Sequence, residues 1–291
     1  MIKIQGLDFN YGSTLALKNV NLVEEEPIIM GLWGRNGAGK TTLMKLLAGL
    51  EKPKNGVIDI HGISPYNHSE GMKYIAYMQE NHPFSEFWNV KDALMFGAYF
   101  NPNWDQQYAE ELVELFELPK KKLIRKFSKG MQTMIKIVIG LASKAPVTIM
   151  DEPTNGLDAF RRKQFYDVLL ETYEDHPRLF ILSSHHIEEI EPLCEKIAVI
   201  HNKTLASYTD TEELKRRGLM LTGPVEEVQK LVQSHHQILQ QKKLRNQMQV
   251  MIDDVITDEW HTIANANKVR LENVSLQDYL VQKTMTQEGR D

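Results

Sequence analysis

The chain has 291 residues, 42% hydrophobic and 25% charged, enough to bury one large core or two unequal ones. Its 34 Lys and Arg against 39 Asp and Glu give a formal net charge of -5, which argues against a non-specific nucleic-acid binder that depends on a positive surface. The only cysteine, Cys194, excludes an intramolecular disulfide and points to a reducing cytosol and a buried thiol.

Residues 1–10 alternate apolar and polar side chains as a strand does, and lack the long apolar core of a secretory signal. Further strand-like runs cover residues 17–23, 28–33, 56–60 and 74–78. Directly after the run at 28–33 come Gly34, Arg35, Asn36, Gly37, Ala38, Gly39, Lys40 and Thr41, the Gly-x-x-x-x-Gly-Lys-[Ser/Thr] spacing of a phosphate-cradling loop. Residues 42–47 then carry helical apolar spacing. Glycines let successive amides turn inward toward phosphate oxygens, and the start of the next helix adds its positive end. Lys40 is placed to bridge the β and γ phosphates and the Thr41 hydroxyl to ligate magnesium, so the expected ligand is a nucleoside triphosphate with Mg2+. The plainer alternative is a Gly-rich turn ahead of a helix.

Residues 90–118 become helical, with Leu112, Val113, Leu115 and Phe116 on one apolar face, so a helical insertion is expected at about 84–140. The most apolar stretch, 134–142, is short and broken by Lys136, and no run is long enough to span a bilayer. Strand signals return at 147–150, ending in Asp151, at 179–182, ending at Ser183, and at 197–200. Helix-like segments lie between them at 159–173 and 187–194. This alternation predicts an α/β domain with a parallel sheet over residues 1–215. Residues 216–291 predict strand 219–222, helix 225–233, strands 238–241 and 247–252, helix 258–266, strand 268–271 and helix 276–282, the βαββαβ order of a small ferredoxin-like α+β domain.

Asp151 and Glu152 end an apolar strand at its carboxyl edge, where open α/β sheets place ligands. Asp151 suits magnesium through its water shell, and Glu152 suits polarising the water that attacks a γ-phosphate. A buried strand that merely ends in a solvated acidic turn is the competing reading.

With these motifs in order, residues 1–215 resemble the ATP-binding subunit of an ABC transporter. Phe127, Ser128, Lys129, Gly130, Met131 and Gln132 resemble the family signature. Asn155, Gly156, Leu157 and Asp158 resemble the loop that crosses the dimer interface. The resemblance implies a P-loop NTPase (RecA-like) cassette with a helical subdomain, followed by the small α+β domain. It implies that Tyr11 stacks on adenine, that Gly34 to Thr41 and Thr42 hold the phosphates, and that Ser128, Gly130 and Asp158 serve the nucleotide of the opposite subunit. Gln79 falls where the family places a magnesium-sensing glutamine, giving Thr41, Gln79 and Asp151 as metal residues and Glu152, His185, Gln79 and Lys40 as catalytic ones. Ser128 equally suits a simple N-cap, and Phe84, Phe87 and Trp88 suit either anchors for a partner or local packing.

Lys129 and Met131 depart from the commonest signature and give a Ser-Lys-Gly-Met form similar to that of drug, antibiotic and peptide exporters; the segment 269–283 resembles the tail of such subunits. The resemblance therefore implies an ATPase using ATP and Mg2+, paired as a homodimer or heterodimer with a second ATPase subunit. It would serve a separate transmembrane permease at the cytoplasmic, inner face of the cell membrane, with membrane association through that partner only and no nucleic-acid partner. An importer ATPase with a regulatory C-terminal domain, and a non-transport relative acting on ribosomes or DNA, are the alternatives.

Overall fold

The computed structural model describes residues 1–81, 84–232 and 237–288. The chain divides into two compact units, Met1–Tyr208 and Thr209–Asp291. The first begins with β1 (Ile2–Tyr11), β2 (Thr14–Glu24), β3 (Ile29–Trp33), α1 (Lys40–Leu47), β4 (Asn55–Ile60), the short α2 (Ser69–Met72) and β5 (Ile75–Met78). The helical insertion follows as α3 (Val90–Phe100), α4 (Gln106–Leu115) and α5 (Lys129–Ala142). The α/β order then resumes with β6 (Val147–Asp151), α6 (Ala159–Asp175), β7 (Leu179–Ser184), β8 (Lys196–His201) and β9 (Thr204–Asp210), whose last residues open the second unit.

Two sheets result. β1 pairs antiparallel with β2 and β4 in the order β2-β1-β4, and its alternating burial reflects one covered face. The second sheet has the order β5-β6-β7-β3-β8-β9, with parallel pairing from β5 through to β8. β3, β6 and β7 are buried at every residue, as expected of parallel strands covered on both faces, which is why they read as unbroken apolar runs. Leu43, Met44, Leu46 and Leu47 of α1 pack in one core with Ile4, Leu17, Ile149 and Ile181. The order β6-β7-β3 brings the carboxyl ends of those three strands side by side, with Asp151 in register with Ser183 and Trp33 with Ser184.

The insertion is capped from its own sequence. Asn89 and Asp92 form a reciprocal capping box on α3, and Asp105 accepts from the Tyr108 amide at the start of α4. The expected helical region at 90–118 is thus two helices, parted at residues 101–105 where Pro102 cannot continue the hydrogen-bond ladder. Lys136, which breaks the apolar run of α5, is only 8% exposed. Its ammonium donates to the carbonyls of Gln79 at 3.3 Å and Glu80 at 2.5 Å, tying α5 to the segment after β5, and burial lowers its pKa.

The segment at 187–194 departs from the expected helix. It forms two separate 3-10 turns, Ile187–Glu189 and Glu191–Leu193, because Pro192 has no amide to donate.

The second unit contains α7 (Thr211–Lys215), β10 (Arg217–Pro224), α8 (Val225–Leu231), β11 (Ile238–Leu244), β12 (Gln247–Val255), α9 (Asp258–Ala266), β13 (Arg270–Asn273) and α10 (Leu276–Glu288). From β10 to β13 this is the βαββαβ order, and the sheet order β11-β12-β10-β13 is antiparallel throughout, the ferredoxin-like arrangement. Its core joins Leu219, Leu221, Val250 and Ile252 to Val228 and Ala264 of the helices. Gln233, the expected end of α8, lies outside the described residues. The division falls at Tyr208 rather than at residue 215. α7 goes with the second unit because Asn273, the last residue of β13, donates to the Lys215 carbonyl at 3.3 Å.

Among the described residues no helix is long and apolar enough to cross a membrane.

Candidate functional site

The loop between β3 and α1 and the carboxyl end of β6 meet in one cleft of about 310 Å³, and His185, after β7, joins it only through Glu152. Tyr11, Arg35 to Thr42, Asp151 and Glu152 line it, together with Glu80 and Lys203, which the sequence did not single out. Gly39 shows why the loop carries glycine: its φ is 121°, and a Cβ there would lie 2.7 Å from Leu17 Cδ2 and 2.9 Å from the Ala16 carbonyl oxygen. No side chain caps α1, so its first amides are left for a ligand.

Lys40 is 7% exposed. Its Nζ donates to the Gly34 carbonyl at 2.6 Å and stands 4.0 Å from Glu152 Oε1. Burial lowers its pKa, and the Glu152 and Asp151 carboxylates oppose that shift. A cation held inside a loop of inward amides is suited to a polyphosphate.

Asp151 is fixed from two sides. The Ser183 hydroxyl donates to Oδ1 at 2.7 Å and the Thr41 hydroxyl to Oδ2 at 3.3 Å, while burial raises the carboxyl pKa. The donors gathered here are a hydroxyl and a carboxylate, hard oxygens that suit a magnesium ion keeping most of its waters and taking others of its ligands from phosphates. Among the described residues no group of three or more His, Cys, Asp or Glu side chains is arranged to hold a metal by itself.

Glu152 has a left-handed backbone, φ 50°, unusual for a residue with a Cβ, and its amide donates to Ser183 Oγ at 3.0 Å. That turn aims the carboxylate at His185, whose Nδ1 lies 2.9 Å from Oε2. Burial raises the Glu152 pKa, against the hydrogen bond from His185 and the charge of Lys40. The His186 ring lies beside that of His185, tilted by 45° with centroids 4.0 Å apart, and the His186 amide donates to Ser184 Oγ at 3.0 Å. A cleft-lining carboxylate joined in this way to an imidazole can orient a water and exchange its proton.

The remaining predicted residues fall elsewhere. Tyr11 sits at the cleft rim, 45% exposed, braced edge-on by Phe9 with its ring centroid 4.9 Å away. Ser128, Gly130 and Asp158 do not line this chain's own cleft. Ser128 accepts from the Met131 amide at 3.2 Å and Asp158 from the Arg161 amide at 2.9 Å, so both cap helices. Gly130 packs so closely that a Cβ would lie 2.6 Å from the Gly156 carbonyl oxygen.

Gln79 is not among the cleft residues, whereas its neighbour Glu80 is. Glu80 Oε1 accepts from Asn155 Nδ2 at 2.6 Å and lies 3.8 Å from Lys129 Nζ, so one carboxylate joins the cleft to the segments at 129 and 155. Gln79 was singled out by its place in the family pattern, and that pattern does not mark Glu80. Ser183 was legible only as a strand end.

A family description for ABC transporters matches residues 17–155. The ATP-binding protein YtrB of Bacillus subtilis is 30% identical over 215 residues, covering 74% of this chain and 74% of the relative. The bacitracin transport ATP-binding protein BcrA of Bacillus licheniformis is 32% identical over 220 residues, covering 75% of this chain and 72% of its own. This chain belongs to the ATP-binding subunits of ABC transporters. The cassette also superimposes on a solved ATP-binding subunit of an ABC transporter with a TM-score of 0.67 at 25% identity, over 74% of this chain and 92% of that one. The chain is therefore an ATP-binding subunit and an ATPase.

Proposed function

We propose that the chain powers an exporter by hydrolysing magnesium-ATP between two paired cassettes. The observation that carries the catalytic part is the convergence of Lys40, Thr41, Asp151, Glu152 and His185 at one edge of the six-stranded sheet. In this reading Lys40 and the loop amides bind the β and γ phosphates, Thr41 and Asp151 hold magnesium, and Glu152 with His185 orients the attacking water. Magnesium would supply charge neutralisation at the transferred phosphoryl group. Tyr11 offers its exposed face to adenine.

Ser128, Gly130 and Asp158 lie outside the chain's own cleft, which supports their serving the nucleotide of a second cassette. ATP then binds the paired state better than the separated one, and loss of the γ-phosphate reverses the preference. The Ser-Lys-Gly-Met signature supports export. The C-terminal unit, from about residue 216, is read as a regulatory or dimer-stabilising addition.

A separate membrane permease is the implied partner, through which the chain would reach the inner face of the membrane. Its docking place is the apolar groove of about 480 Å³ between β5 and the helical insertion, lined by Phe84, Phe96, Tyr99, Phe100 and Ile139. Phe87 is 78% exposed beside it, whereas Trp88 packs locally on Phe96 at 4.9 Å.

Light scattering on Glu152→Gln, with and without magnesium-ATP, tests the paired mechanism. ATP-dependent dimers support it and show self-pairing. A monomer that demonstrably binds ATP yet never pairs, alone or with a second cassette, would sink it. Transport into sealed vesicles by the chain with its permease then decides direction: uptake into inside-out vesicles supports export, and its absence alongside uptake into right-side-out vesicles removes that reading.

A further inference from the structure

The turn between β8 and β9 carries a lysine where the backbone favours glycine. Asn202 has φ 45° and Lys203 φ 67°, two successive left-handed residues, the geometry of a two-residue hairpin turn whose second position is most often Gly. Asn tolerates that region well; Lys is strained there. The turn is also pinned. Thr204 Oγ1 donates to the His201 carbonyl at 2.9 Å, and the Lys18 amide donates to the Lys203 carbonyl at 2.8 Å, joining the turn to β2.

From this fixed backbone the Lys203 side chain reaches the phosphate loop, where Nζ donates to the Gly37 carbonyl. It is one of the residues lining the cleft. Among the described residues it has no carboxylate within ion-pair distance. An ammonium has three donors, and the Gly37 carbonyl occupies one. A strained lysine that spends its charge on a neutral carbonyl beside an anion site has its natural acceptor in the anion.

We propose that Lys203 is a second phosphate-binding cation, contacting the polyphosphate of the nucleotide from the β8–β9 turn while Lys40 acts from within the loop. This rests on the cleft being the ATP site. Lys40 is buried against Gly34 and Glu152 and is fixed before the ligand arrives; Lys203 is more exposed and swings from the Gly37 carbonyl to a phosphate oxygen. Its contribution is charge-assisted but solvent-accessible, so it falls as salt rises.

The test is titration of the full chain with a fluorescent ATP analogue at low and high salt, for the native protein, Lys203→Gly and Lys203→Arg. Lys203→Gly removes the cation while relieving the turn, so a loss of affinity there cannot be assigned to a damaged backbone. The expected result is about tenfold weaker binding at low salt for Lys203→Gly, the size of one charge-assisted hydrogen bond, with a smaller difference at high salt and affinity restored in Lys203→Arg. Equal affinity of Lys203→Gly and the native chain overturns the proposal. So does equal loss in Lys203→Gly and Lys203→Arg, which would mean that shape and not charge matters. No binding by the native chain overturns the cleft assignment itself and Lys203 with it, an outcome distinct from the other two.

Discussion

Glu152 Oε2 and His185 Nδ1 lie 2.9 Å apart, linking the turn after β6 to the residue that follows β7. Neither residue could reach the other without the parallel register that sets Asp151 against Ser183. In the proposed mechanism the pair acts on one water, so its two members should not contribute additively. Glu152→Gln is expected to lower ATP turnover by at least a hundredfold while nucleotide affinity stays within a few-fold of native. His185→Ala should cost nearly as much, and the double variant little more than the worse single one. Steady-state phosphate release and equilibrium nucleotide binding read the two quantities separately; losses that multiply in the double variant would show that the residues act independently.

The same carboxylate predicts a pH dependence. Burial raises the Glu152 pKa above its ordinary value of 4.5, with His185 and Lys40 only partly offsetting it. A base is active when ionised, so activity is lost as pH falls through the raised pKa. The acid limb of kcat/KM should therefore lie above pH 4.5 and vanish from the residual rate of Glu152→Gln. An acid limb at or below the ordinary value would contradict the burial argument.

Lys40 tests binding rather than chemistry. Lys40→Ala removes the buried ammonium that lies between Gly34 and Glu152, leaving a carbonyl without its donor and a buried carboxylate without its lysine neighbour. Nucleotide affinity is expected to fall by tenfold or more, the scale of a charge-assisted contact, in contrast to Glu152→Gln. Equal loss of affinity in both variants would contradict the division of labour between them.

How much of this was legible beforehand follows the reach of each interaction. The phosphate loop, Asp151 with Glu152, and the cap at Ser128 are local patterns, each carried within a few residues, and the strand-helix alternation carried the parallel sheet. Ser183 and Lys203 act through neighbours far away in sequence: Ser183 reaches Asp151 only through the β6–β7 register, and Lys203 meets Gly37 only because β8 lies beside β3. Glu80 was hidden by an adjacent Gln79 of the expected type. The 187–194 segment has helical spacing, but Pro192 outweighs that pattern.

Ser128 separates a structural role from an intersubunit one. Its hydroxyl caps α5 through the Met131 amide. Ser128→Ala should cost about 1 kcal/mol of stability, the usual loss for an N-cap, seen as a lower denaturant midpoint. Ser128→Arg adds a bulky cation at the same point and should abolish ATP-dependent pairing of the Glu152→Gln protein while single-chain nucleotide binding persists. Loss of nucleotide binding by the isolated Ser128→Arg chain would place Ser128 at its own cleft instead.

The C-terminal unit has its own electrostatic centre at Asp253. Oδ1 accepts from Arg217 Nε at 2.8 Å and from the Tyr279 hydroxyl at 2.9 Å, and Oδ2 accepts from Lys283 at 3.0 Å, joining β10 and β12 to α10. Burial alone would raise the Asp253 pKa, but the hydrogen bonds from Lys283, Arg217 and Tyr279 together bring it below the ordinary 3.8. A carboxyl depressed in the folded state contributes stability that is fully present above its unfolded pKa and is lost as pH falls through the folded one. Stability of this unit should therefore be flat near neutrality and decline below about pH 4. Asp253→Asn leaves two cations facing a neutral amide and should destabilise the unit by about 3 kcal/mol, the low end for breaking a buried pair, since Arg217 and Lys283 keep some solvent access. Denaturant unfolding followed at pH 7 and pH 3 measures both effects. The gap between Asp253→Asn and the native chain should be widest at pH 7 and narrower at pH 3, and an equal gap at the two pH values would show that the ionised carboxylate is not what holds the helix to the sheet.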